Sequence, residues 1–148
     1  MRVLAPILLL LGLLAGSVAA SVVLAADAPE HELRTGGALT LAAGARVAAS
    51  LTIVPVPGRR LAADAPLSLR LTVTPADGLK LPRRRYTLAD AADPRAEAPR
   101  FDLAVEALAP GAYTVSVDAR FWLCAAHTCR AVRDHIELPV TVEALPTP

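Results

Sequence analysis

Tyr113-Thr-Val-Ser-Val-Asp-Ala-Arg-Phe-Trp-Leu-Cys124, followed after Ala-Ala-His-Thr by Cys129 and then by Ile136-Glu-Leu-Pro-Val-Thr-Val142, is the stretch on which the fold turns. Tyr113, Val115, Val117, Ala119, Phe121 and Leu123 alternate with polar or charged neighbours. Ile136, Leu138, Val140 and Val142 do the same. A period of two is the mark of a strand with one buried face. If the two cysteines face each other across a hairpin, paired residue numbers sum to 253. Val117 then meets Ile136, Val115 meets Leu138 and Tyr113 meets Val140. One face of the hairpin becomes coherently apolar, and a slip of one residue would destroy that agreement.

The opposite face of this hairpin holds Cys124 opposite Cys129, Trp122 opposite Ala131 and Asp118 opposite His135. The cysteines are therefore expected on the outer face at the hairpin end, away from the core position of an antibody inter-sheet disulfide. Pro139 lies in the same pairing class as the cysteines. Its missing N–H predicts a non-hydrogen-bonded pair, with Cα atoms about 4.5 Å apart. Two residues fit poorly: Asp134 falls on the apolar face, and Arg120 lies opposite Arg133. A bulge near residues 130–134 would account for both.

Elsewhere the same period recurs at Leu67–Val73 and Phe101–Val105, and more weakly at Val47–Ile53. Pro-Val-Pro-Gly at 55–58, Pro-Ala-Asp-Gly at 75–78 and Ala-Pro-Gly-Ala at 109–112 read as turns. No long window beyond residue 27 has a helical period with caps. The fold class expected is all-β, an immunoglobulin-like sandwich of about seven strands spanning 45–145. Residues 27–44 read as an N-terminal lead-in, of which 27–37, polar and carrying Gly36-Gly37, are expected to be poorly ordered. Residues 89–99 read as a loop.

The N-terminal segment sets the compartment. Between Arg2 and Asp27 there is no charge, and residues 3–15 have the length of a signal-peptide apolar region. Small residues follow, so residues 1–26 are expected to be a signal peptide cleaved at Ala20 or Ala25. An uncleaved anchor is the alternative. No Cys follows the apolar run, which excludes a lipoprotein. The mature form should carry no membrane span and be periplasmic or secreted.

Of 15 basic and 14 acidic residues, only Arg2 precedes position 27. The remainder is balanced, which gives no reason to expect a nucleic acid as partner. There is no Gly-x-Ser-x-Gly, no His-Glu-x-x-His and no phosphate-cradling glycine loop. No cofactor and no turnover independent of a partner are expected.

The cysteine pair admits three readings. As a staple it closes so short a loop that it would stabilise by only about 2 kcal/mol. As a redox dithiol it would exchange with a partner thiolate. As a metal site it would draw on Cys124, His127, Cys129 and His135, and thiolates would select copper(I) or zinc. His127, if protonated near a sulfur, would favour thiolate; otherwise it is an exposed loop residue. Trp122, next to the cysteines on the outer face, would be a docking contact or else a partly packed surface residue. Lys80, Arg83, Arg84 and Arg85 would flank the sulfurs or bind an acidic partner; otherwise they are a solvated run.

The segment Tyr113–Cys129 with Ile136–Val142 resembles the closing hairpin of the N-terminal domain of the thiol:disulfide interchange protein DsbD. That pattern is an alternating strand, a Cys, a few residues, a second Cys and a strand containing Pro. Pro75-Ala-Asp-Gly-Leu-Lys-Leu-Pro82 resembles the family's strand-turn leading to the loop that covers the cysteines. The resemblance implies an immunoglobulin-like module carrying reducing equivalents through Cys124 and Cys129, under a flexible cap. Its partner would be a thioredoxin-like or other exported thiol-disulfide protein. The alternative is a non-enzymatic sandwich that binds or scaffolds a partner and holds an inert disulfide.

Overall fold

The hairpin dominates the molecule. In a computed structural model, which describes residues 28–148, Gly111–Ala125 and Thr128–Glu143 form the two longest strands. The expected signal peptide, residues 1–26, lies outside the described residues. In chain order the strands are β1 (His31–Thr35), β2 (Leu39–Ala42), β3 (Arg46–Pro55), β4 (Arg60–Leu61), β5 (Ser68–Thr74), β6 (Leu79–Lys80), β7 (Arg85–Thr87), β8 (Arg100–Ala107), β9 (Gly111–Ala125) and β10 (Thr128–Glu143). One short 3₁₀ turn, Leu88–Asp90, follows β7.

Two sheets pack face to face. One has the order β1-β3-β8-β6, and the other β2-β10-β9-β5-β7, with β4 added beside β9. Strands β1, β3 and β8 take the A, B and E places of an immunoglobulin sandwich, and β10, β9 and β5 take the G, F and C places. The chain is an immunoglobulin-like β-sandwich, as the alternating patterns predicted. The register across β9 and β10 is unbroken from Thr128↔Ala125 to Val142↔Gly111, with Cys129 opposite Cys124 and Leu138 opposite Val115. There is no bulge; Arg133 does lie opposite Arg120.

The core follows from parity. Val115, Val117, Ala119, Phe121 and Leu123 of β9 are all buried, against Leu51 and Ile53 of β3 and Phe101, Leu103 and Val105 of β8. Each fully buried side chain of this size contributes about 1.5–3 kcal/mol. Among the described residues no polar or charged residue is fully buried.

The lead-in expectation for 27–44 is corrected, because this stretch carries β1 and β2. β1 pairs antiparallel with β3, and β2 pairs parallel with β10. Between them Gly37, at φ 92°, takes a left-handed conformation that lets the chain step from one sheet to the other. The period of two was invisible here because β1 offers one apolar residue, Leu33, and β2 is four residues long.

At the end remote from the cysteines, Tyr113 turns a corner. Its Oη donates to the carbonyl of Ala109 at 2.9 Å. Its ring lies on Gly78 so closely that a Cβ there would fall 1.7–2.0 Å from ring atoms and Oη. This is the tyrosine corner of immunoglobulin-like domains. Two residues on, where antibody domains place a core cysteine, stands Val115. Tyr113→Phe is expected to cost about 1–2 kcal/mol in urea unfolding, from one lost hydrogen bond in a half-buried setting. A loss below measurement error would show the corner to be held by packing alone.

Candidate functional site

At the hairpin end the cysteines are joined in a disulfide, with Cα atoms 4.0 Å apart. This is the close spacing expected of a non-hydrogen-bonded pair. The loop is tighter than the four residues between the cysteines. Ala125 and Thr128 still pair, leaving Ala126 and His127 to make the turn. Ala126 adopts φ 48°, the left-handed conformation a two-residue turn demands.

Parity places both cysteines on the outer face, yet their surroundings differ. Cys129 is exposed, whereas Cys124 is 3 % exposed. The cause is β4. β5 stops at Ser68, opposite Arg120, and β4 takes over the edge of β9 beyond it, with Arg60 opposite Cys124 and Leu61 opposite Leu123. The Ala62 N–H then donates to the Trp122 carbonyl at 3.0 Å. A cavity of about 490 Å³ results, lined by Leu61, Ala63, Asp64, Trp122, Cys124 and Cys129. Trp122, 38 % exposed, forms one wall beside the sulfurs.

The expected cover, the loop at 80–85, lies elsewhere. Lys80 pairs opposite Glu106 in the other sheet, at the tyrosine-corner end, roughly 30 Å or more from the cysteines by strand rise. Arg85 stands opposite Arg70, and Arg70 opposite Asp118, part-way down the larger sheet. Arg83 forms an ion pair with Asp90. The residues that do cover Cys124, from Arg60 to Ala65, gave no signal: a two-residue strand has no period. Arg60 is the addition that matters, because cross-strand neighbours share a face and a guanidinium beside a sulfur favours thiolate.

His127 is exposed on the turn and, among the described residues, makes no hydrogen bond to either sulfur. His135 lies well down β10, with its Nδ1 2.9 Å from Asp118. The hydrogen bond to Asp118 raises its pKa above the ordinary value. Among the described residues no three metal-ligating side chains are brought together.

Asp134, the misfit on the apolar face, has a partner from the other sheet. His31 Nε2 lies 2.7 Å from its Oδ2, and the His31 ring meets Phe121 edge-on at 5.1 Å. Beside this pair, Glu30 accepts from Arg59 at 2.8 Å and from Arg130 Nε at 2.6 Å. The His31–Asp134 and Glu30–Arg130 contacts tie β1 and the residue before it to β10 at the cysteine end. Hydrogen bonding by Arg130, before other charge effects, holds the Glu30 carboxyl below the ordinary glutamate range. A depressed folded-state pKa gives stability that is present above the unfolded value and lost as pH falls through the folded one. The urea midpoint should therefore fall as pH drops from the ordinary glutamate range through the lowered folded-state value, and Glu30→Gln should flatten part of that slope. An unchanged slope in Glu30→Gln would assign the acid sensitivity elsewhere.

A disulfide marks the chain as an exported protein. Among the described residues no helix is long and apolar enough to cross a membrane. No protein-family model matches the chain, and no curated protein matches it. Three solved structures are similar in shape. Domains 4 and 5 of the S-layer protein SbsC match at 11 % identity and TM-score 0.44, over 76 % of this chain and 51 % of that one, so this chain spans about half of it. AggA, the major subunit of aggregative adherence fimbriae type I from Escherichia coli, matches at 16 % identity and TM-score 0.39, over 76 % of this chain and 94 % of that one. Murine CRIg matches at 11 % identity and TM-score 0.40, over 78 % and 99 %. At such identities the likeness concerns the course of the chain and says nothing of activity.

Proposed function

We propose that this exported immunoglobulin-like domain is a thiol-disulfide exchange module, acting in the periplasm or outside the cell through Cys124 and Cys129. The observation that carries the reading is the asymmetry of the disulfide, an exposed Cys129 joined to a buried Cys124 outside the core. A partner thiolate attacks Sγ of Cys129. A bond forms between the partner's sulfur and Sγ of Cys129, and the Cys124–Cys129 bond breaks. Cys124 leaves as a thiolate beside Arg60 and takes a proton from solvent. A second thiolate of the partner then attacks the partner's own sulfur in the mixed disulfide and releases Cys129 as a thiolate, which takes a second proton from solvent. Two electrons and two protons have passed to the domain, and the partner is oxidised.

Trp122 and the cavity beside it give the partner's reactive loop a place to rest. A thioredoxin-like protein presents its nucleophile on such a loop and suits the site. The hairpin's resemblance to the N-terminal domain of DsbD supports the same reading. A staple is the weaker account, because so short a closed loop contributes only about 2 kcal/mol.

Titrating the oxidised domain against reduced and oxidised glutathione tests this directly. The expected reduction potential lies above about −300 mV, and the reduced domain stays folded. A potential below that value, with no exchange in reduced glutathione, would leave the alternative: a non-enzymatic binding domain with a structural disulfide.

A further inference from the structure

The outer face of the larger sheet carries a second feature that the thiol chemistry does not use. Two adjacent cross-strand rows run over β7, β5, β9 and β10. In one row stand Arg85, Arg70, Asp118 and His135; in the next stand Thr87, Ser68, Arg120 and Arg133. Arg70 and Arg85 are directly opposite each other, and so are Arg120 and Arg133. All four arginines are exposed. Like charges directly opposite on a sheet destabilise it, and this small face carries two such pairs.

Elsewhere among the described residues six arginines are paired with acids, while Arg60, Arg84 and Arg95 stand singly with no arginine opposite them. Arg34, Arg46, Arg59, Arg83, Arg100 and Arg130 each have a carboxylate within ion-pair distance. Among the described residues the four on this face have none. The acid in the same two rows, Asp118, is engaged by His135. The side chains border a cavity of about 350 Å³ lined by Ser68, Arg70, Arg85, Asp118, Arg120 and Arg133. Asp134 also borders it, but its carboxylate is held by His31 at 2.7 Å.

Four unpaired guanidiniums converging on one cavity are a poor device for stability and a good one for binding. Each presents a planar fork of donors that matches the oxygens of a phosphate or carboxylate in bidentate fashion. Grouped charge of one sign also raises the local concentration of an oppositely charged ligand. We propose that this face is a binding site for a compact, multiply charged oxyanion. The inference stands apart from the thiol-exchange reading and does not need it.

The test uses pyrophosphate and citrate as probes, added to the oxidised domain at constant ionic strength set with chloride, and followed by calorimetry and backbone NMR. Saturable binding is expected, with shifts centred on residues 118–120 and 133–135. Binding of pyrophosphate alone assigns phosphate chemistry, and binding of citrate alone assigns carboxylate chemistry. Arg120→Gln/Arg133→Gln should weaken binding by about tenfold or more. Arg100→Gln, on the other sheet and paired with Asp102, should leave it unchanged. Arg133→Glu supplies a readout that a structural role would not give. It puts an opposite charge across from Arg120, so the urea midpoint should rise while probe binding is lost. Cys129→Ser should bind the probes as the parent does, which keeps this result separate from the thiol chemistry. Absence of saturable binding by either probe, or undiminished binding in the double variant, overturns the proposal.

Discussion

Phe121→Ala is expected to lower the stability of the domain by about 3–5 kcal/mol, the range for removing a fully buried aromatic ring. The residue is 1 % exposed and is one of only two phenylalanines in the chain. The other, Phe101, comes from the facing sheet and is 0 % exposed. The ring also meets His31 edge-on, and His31 in turn binds Asp134. Truncation would open the core at the cysteine end and loosen the inter-sheet contact between His31 and Asp134 together. Set against a total stability of about 5–15 kcal/mol for a domain of this kind, the loss would be plain in a urea titration. A cost under about 1 kcal/mol would mean that this end of the sandwich is not close-packed.

The second large effect separates the two sulfurs. In Cys124→Ser the remaining thiol, on Cys129, is exposed. In Cys129→Ser the remaining thiol, on Cys124, lies under Arg60–Ala65 at 3 % exposure. Reaction of Cys124 with a disulfide then requires the β4 segment to open first. Local opening of a two-residue edge strand costs on the order of 2 kcal/mol, which corresponds to roughly 30-fold in rate. Incubation with oxidised glutathione, read by intact mass, should show rapid mixed-disulfide formation in Cys124→Ser and slow formation in Cys129→Ser. Equal rates would mean that the cover has no protective effect, and the order of attack proposed above would lose its basis.

The hairpin was legible because two independent constraints met in it. The cysteine pair fixed one register, and Val115, Val117, Leu138 and Val140 required the same one. Pro139 added a third constraint, and the close cysteine spacing agrees with it. The outer-face placement of Trp122 followed from the same parity. What parity could not supply is what lies on top of a face. β4 covers Cys124 by a contact between segments some sixty residues apart, through a strand too short to carry a pattern. The turn at 75–78 looked like the approach to the cover, but Gly78 is used at the far end, under Tyr113.

The hydrogen bond between His31 and Asp134 illustrates the converse. The sequence did carry a signal, an acid at a core-facing position. It was read as an irregularity in the hairpin, because its partner sat in a stretch that looked unstructured. Polar residues at core parity point to a partner in the opposite sheet as readily as to a bulge.

The parallel pairing of β2 with β10 has a mechanical consequence. Val140 to Glu143 run alongside Leu39 to Ala42 in the same direction, extended by the bond from the Ala43 N–H to the Glu143 carbonyl at 2.9 Å. A tension applied at the start of β2 and the end of β10 pulls the two strands in opposite directions along their common axis. The hydrogen bonds between them are then loaded in shear and bear the force together, whereas bonds at a hairpin mouth peel one after another. The rate at which the stretched domain gives way is set by the barrier to breaking this patch. The short strand between residues 39 and 42, unremarkable in composition, thus acts as the latch of the fold under tension.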